Sequence, residues 1–204
     1  MNASHDKLHT GISGSLSDTI AGLKSRLSAL VPASDHEHFS LAALEEGIVA
    51  LEEGNYGIGA VVVVDGKIVV REHNRVLFPA FDSKGHAEMR ALDEMERLGI
   101  KGDLYGTLEW CPMCYTRTLL AGVGKAFFIA EDPGNGMVWQ LRHVRQQYWS
   151  QSIWHMFATD GRALAQANVR PEYKQLGWDM FALTREQIDL QLGARTPETA
   201  LAAR

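Results

Sequence analysis

His86, Glu88, Cys111 and Cys114 are the residues of this sequence best suited to chemistry. One imidazole and two thiolates suit zinc, which takes nitrogen and sulfur ligands in a tetrahedron. A catalytic zinc keeps three protein ligands and leaves its fourth position to water. A structural zinc needs a fourth ligand, and none is evident nearby. Glu88, two positions after the histidine, can reach that water without being a ligand, take its proton and hand it on as a general acid. The metal lowers the pKa of the water so that hydroxide exists near neutrality. Each piece has a plainer reading alone. Cys111-x-x-Cys114 could be a redox dithiol or two inert core thiols, His86 a helix-capping residue, and Glu88 a first-turn acid favoured by the helix dipole. Together they select a metal site, and the two cysteines are the only ones in the chain.

For these residues to meet, the elements around them must be placed correctly. Leu16, Ile20, Leu23, Leu27 and Leu30 recur at spacings of three and four, which predicts an amphipathic helix ended by Pro32. A second helix is expected over 35–51. Ile58 to Val64 reads as a buried strand, and Asp65-Gly66 as a hairpin turn into a return strand over 68–71. A loop of about a dozen residues, containing Pro79, then leads to a third helix starting near His86; loops of that length are often functional. Asp103 to Leu108 reads as a strand. A fourth helix opens after Cys111, with Pro112 at its first position, where a missing N–H costs nothing. Ala126 to Ala130 is a further apolar strand. Both cysteines then sit at a helix N-terminus, whose partial positive charge favours thiolate. Beyond Glu131 the pattern weakens, with helical stretches expected between Val138 and Gln166 and a short one over 187–192. The element order implies an α/β fold, a mixed sheet covered by helices on both faces.

Length and composition narrow the class. The chain has 204 residues, of which 46% are hydrophobic, enough for one domain with an appendage. The expected division is an N-terminal tail with an accessory helix over 1–34, a catalytic domain over 35–183 and a C-terminal tail over 184–204. The formal net charge of −5 suits a small substrate better than a wide grip on phosphates. No stretch is long and apolar enough to span a bilayer and no signal peptide is evident, so a cytoplasmic location is expected.

His86-Ala87-Glu88 followed by Cys111-Pro112-Met113-Cys114 resembles the cytidine/deoxycytidylate deaminase superfamily, whose H-x-E…P-C-x-x-C signature is known. The likeness covers roughly residues 35–131. Thr107-Leu108-Glu109 and the run Arg71-Glu72-His73-Asn74-Arg75 look most like the guanine deaminase and tRNA adenosine deaminase branch. The resemblance implies a three-layer α/β/α sandwich with a mixed, roughly five-stranded sheet. It implies Zn2+ on His86, Cys111 and Cys114, Glu88 as proton shuttle, Asn74 as a substrate contact and a homodimer. Glu109 and Trp110 would adjoin the substrate. Trp110 departs from the family, which usually has proline there. Asn74 could also be an ordinary turn residue and Trp110 a core residue. Trp139, Trp149, Trp154 and Trp178 read first as core or interface. Arg142, His143 and Arg145 read as a solvated helix face.

The leading expectation is therefore a zinc-dependent hydrolytic deaminase of a nucleobase, nucleoside or related amino-heterocycle, with a guanine-type ring slightly ahead. The alternative is adenosine-to-inosine editing of tRNA. A non-catalytic zinc scaffold is the third reading, which the presence of Glu88 disfavours.

Overall fold

A computed structural model describes residues 16–133, 136 and 164–193, with the backbone alone from residue 186 onward. Five strands form one mixed sheet in the order β2-β1-β3-β4-β5. β1 (Gly59–Val64) and β2 (Lys67–His73) form the expected hairpin, turned at Asp65 and Gly66, which both have positive φ. β1 also pairs antiparallel with β3 (Asp103–Leu108). β4 (Ala126–Ala130) and β5 (Leu164–Gln166) extend the sheet in parallel. Helices cover both faces, as the sequence implies.

Side-chain alternation sorts the core into two layers. Val61, Val63, Tyr105 and Ile129 face α2 (Asp35–Glu52) and α5 (Pro171–Gly193), meeting Leu44, Ile48, Leu176 and Met180. Ala60, Val62, Leu104 and Leu108 point the other way, onto Ala91, Leu92 and Met95 of α3 (Ala87–Arg97) and Tyr115 of α4 (Pro112–Leu120). The α2–α5 layer is locked by Glu37, which is 4% exposed. Its carboxylate accepts from Ala33 N and from Arg170 N, Nε and Nη2, joining the start of α2 to the residue before α5.

Two sequence expectations change. The helix expected over 187–192 is the end of the 23-residue α5. Residues 164–166, expected at the end of a helical stretch, form strand β5; the rest of that expectation, with Trp139, Trp149, Trp154, Arg142, His143 and Arg145, lies outside the described residues. α1 (Leu16–Ser28) packs on α2 and α5 of the same chain, with Leu23 buried and ion pairs Lys24–Glu52 and Arg26–Asp179 at its flanks. It thus covers the outside of the helical layer. No described helix is long and apolar enough to cross a membrane.

At the end of β2, His73 is held between Glu46 Oε2 at 3.1 Å and Glu53 Oε2 at 3.0 Å. The hydrogen bond with Glu46 raises its pKa above 6.5 against the opposing effect of burial. A raised folded-state pKa gives stability that is fully present below the unfolded value and is lost as pH rises through the folded one. The melting temperature should therefore fall more between pH 6 and pH 9 in the native chain than in His73→Gln. Thermal scans across that range check it; parallel curves would remove His73 from the account.

Candidate metal centre and active site

The prospective ligands converge because β3 lies mid-sheet, between the helix before it and the helix after it. His86 is the N-cap of α3 and Cys111 the N-cap of α4, both with extended backbone and neither using its side chain to cap. Those side chains turn towards each other instead. Cys111 Sγ lies 3.7 Å from His86 Nδ1, and Cys114 Sγ, one turn into α4, lies 3.6 Å from the same nitrogen. All three ligand atoms lie within 4.8 Å of one another, and they are the only such His/Cys/Asp/Glu group among the described residues. Zinc–sulfur and zinc–nitrogen bonds of about 2.3 and 2.0–2.1 Å at a tetrahedral angle would separate sulfur from nitrogen by roughly 3.6 Å. The triad therefore fits zinc, with one coordination position left over.

The electrostatics suit a cation. A hydrogen bond from Cys114, with a second contribution from His86, draws the Cys111 thiol far below its ordinary range despite burial. Cys114 is pushed well above its own, first as the donor to Cys111 and then by burial. One thiolate is thus held readily, and metal binding would displace the second proton. Glu88, in the first turn of α3, is 4% exposed. Burial raises its pKa to about 7, opposed by the charge of His86. Its Oε2 accepts from Cys114 Sγ at 3.5 Å.

A cavity of about 450 Å³ opens over this group, within the usual range for small-ligand sites. Its floor holds His86, Glu88 and Cys111. Asn74 forms one wall, because Asn74 N donates to Ile58 O and so ties the end of β2 to the start of β1. The Asn74 side-chain oxygen is engaged by Val76 N, which fixes the amide. The loop after it is tied down by Asn55, which is fully buried. Asn55 Oδ1 accepts from Leu77 N and Phe78 N, and its Nδ2 donates to Phe78 O. That clamp presents Phe81, 60% exposed, at the cavity rim.

Of the other expected contacts, Glu109 lines the cavity. Its Oε2 accepts from Asp132 N and so also holds the chain leaving β4. Trp110 does not line it; the ring is 1% exposed and packed in the core beside α3 and α4. Trp178 is likewise absent from the wall and meets Phe181 edge-on, with centroids 5.9 Å apart. Sequence reasoning missed Phe81, Asp132, Phe181 and Arg185 in the wall. Phe81 could have been found, since it and Phe78 are the two aromatics of the loop that leads to the metal motif. Phe181 and Arg185 lie on the part of α5 that was not foreseen.

Comparison with known proteins gives a consistent picture. Residues 33–130 match the model of the cytidine and deoxycytidylate deaminase zinc-binding region. A tRNA-specific adenosine deaminase of Bacillus subtilis is 39% identical over 116 residues, covering 54% of this chain and 71% of that one. Its counterpart in Aquifex aeolicus is 38% identical over 107 residues, covering 50% and 70%. A solved tRNA:A34 deaminase superposes with a TM-score of 0.52 at 29% identity, over 70% of this chain and 98% of its own. The guanine deaminase of Nitrosomonas europaea shares the fold, with a TM-score of 0.54 at 19% identity over 91% and 98%.

Proposed function

This chain belongs to the zinc-dependent cytidine and deoxycytidylate deaminase superfamily, as a hydrolase of C–N bonds, and on that premise we propose that it deaminates adenine presented by an RNA strand. The observation that carries the reading is the likeness to tRNA-specific adenosine deaminases, 39% identical across 71% of the Bacillus subtilis protein. The exposed Phe81 at the rim supports it, since an aromatic there can stack on a base that has left its own stack.

In this reading each residue has a defined task. His86, Cys111 and Cys114 would hold zinc, which would serve as a Lewis acid towards the attacking water. Glu88 takes one proton of the attacking water on its carboxylate and passes it to the ring nitrogen beside the carbon under attack; it then takes the proton of the hydroxyl formed on that carbon and gives it to the exocyclic amine, which leaves as ammonia while the C–N bond breaks and the carbonyl forms. Its burial beside the triad places it where it can both accept and give a proton without ligating the metal. Asn74, its oxygen already occupied, offers its Nδ2 to the ring. The apolar wall of Ile58, Val76, Leu108 and Phe181 packs on the base and keeps bulk water away.

A second reading, deamination of a small guanine-type ring, is favoured by the net charge of −5 and by the buried carboxylates Glu109 and Asp132 in the wall. Such groups complement a ring edge rich in N–H donors. The two readings separate in one experiment. The zinc-loaded protein is assayed for inosine formation in tRNA and for ammonia release from free guanine, with tRNA affinity measured against salt. The RNA reading expects inosine, with affinity falling steeply as salt rises. Turnover of guanine alone would replace it with the second.

A further inference from the structure

Asn74 lines the cavity, but the residues on either side of it do not. Those two neighbours are held from outside by one side chain. His73 Nε2 and Arg75 Nε meet the same oxygen of Glu53, Oε2, at 3.0 and 3.2 Å. Arg75 Nη2 lies 3.5 Å from the other oxygen, Oε1. Glu53 therefore bridges over Asn74 without touching the cavity itself.

The place of Glu53 in the fold makes this bridge notable. It is the C-cap of α2, whose last turn has no basic residue. A carboxylate there faces the negative end of the helix dipole and is disfavoured. Its contacts with His73 and Arg75 offset that cost. The backbone beneath the bridge is fixed as well. Arg75 N donates to Gly85 O at 2.7 Å. A Cβ on Gly85 would sit 2.6 Å from Arg75 O, so the two strands of chain approach as closely as only glycine allows. Gly85 directly precedes His86. A short path thus runs from Glu53 through Arg75 to the residue beside the metal triad, and Asn74 lies along it.

We propose that Glu53 is a positioning residue for Asn74: by gripping both of its neighbours, it sets where the Asn74 amide stands in the cavity relative to His86, and so sets substrate affinity. Small displacements at such a contact are costly, since a shift of about 1 Å can cost 10²-fold. An ordinary ion pair with this much exposure would contribute only to stability, and little. The effect on affinity rests on the reading of Asn74 as a substrate contact; the grip on Asn74 does not.

The test uses the full zinc-loaded chain, as the native protein, Glu53→Gln and the neighbouring control Glu52→Gln. Glu53→Gln should raise KM about tenfold, as for loss of a hydrogen bond to a charged group, with kcat little changed. Glu52→Gln, which removes only the exposed ion pair with Lys24, should leave both constants alone. Arg75→Gln, which releases one of the two gripped side chains, should move KM in the same direction and serves if Glu53→Gln does not fold. In ¹⁵N relaxation, the order parameter of the Asn74 side-chain amide should fall in Glu53→Gln and stay unchanged in Glu52→Gln. A lowered melting temperature with unchanged KM would make Glu53 a structural residue only and overturn the proposal. An unchanged Asn74 order parameter overturns it too. If the native zinc protein deaminates no substrate, the deaminase reading fails, while the order parameter still decides the grip of Glu53 on Asn74.

Discussion

Glu88→Gln should lose about 10²–10⁴-fold or more in kcat while binding zinc at one per chain. The substitution keeps the shape of a side chain that is 4% exposed, so the fold is preserved. It removes only the capacity to take and return a proton. Because Glu88 lies in the first turn of α3 and is not one of the three clustered ligands, the metal should stay. Metal content and turnover measured on the same preparation check the prediction. Full zinc with near-native turnover would move the proton work to another group and revive the scaffold reading.

Cys114→Ala should have the opposite signature, with metal and turnover lost together. Cys114 is fully buried and supplies one of the three ligand atoms. Loss of an outer partner of a metal ligand already costs 10–100-fold in affinity, so loss of the ligand itself should cost more than about 100-fold. At a zinc concentration that saturates the native protein, a 100-fold change in affinity corresponds to about 2.7 kcal/mol of stabilisation. For a chain of this size that is roughly 5–10 °C in melting temperature. A chelator should therefore lower the melting temperature of the native protein by about that amount and leave Cys114→Ala unmoved. Equal responses would mean that the triad does not hold the metal.

The metal centre was legible in the sequence because its residues sit at helix starts. The Asp65-Gly66 turn, the β-branched run before it and Pro112 at a helix N-terminus are local signals, and the structure keeps each of them. The missing part is α5, and Gly177 shows why. Glycine weakens a helix by about 1 kcal/mol relative to alanine, which blurs the stripe of Tyr173, Leu176 and Met180. Its smallness is a tertiary requirement: a Cβ there would sit 3.0 Å from Thr107 O on β3. Nothing local announces that contact, so Phe181 and Arg185 stayed hidden with the helix that carries them. Trp110 illustrates a different failure. Its neighbours Glu109 and Cys111 line the cavity, but successive side chains of an extended segment point opposite ways, and the indole faces the core.

The spread of these residues along the chain also sets an order of assembly. The farthest metal ligands are 28 positions apart, whereas the bond from Gly57 N to Thr184 Oγ1, which docks α5 near the cavity, spans 127. Closing the shorter loop costs less chain entropy, and contacts close in sequence form sooner. Synthesis runs from the N-terminus, so the three metal ligands are made before Phe181 and Arg185. The protein can thus acquire its metal before it has a complete place for a substrate.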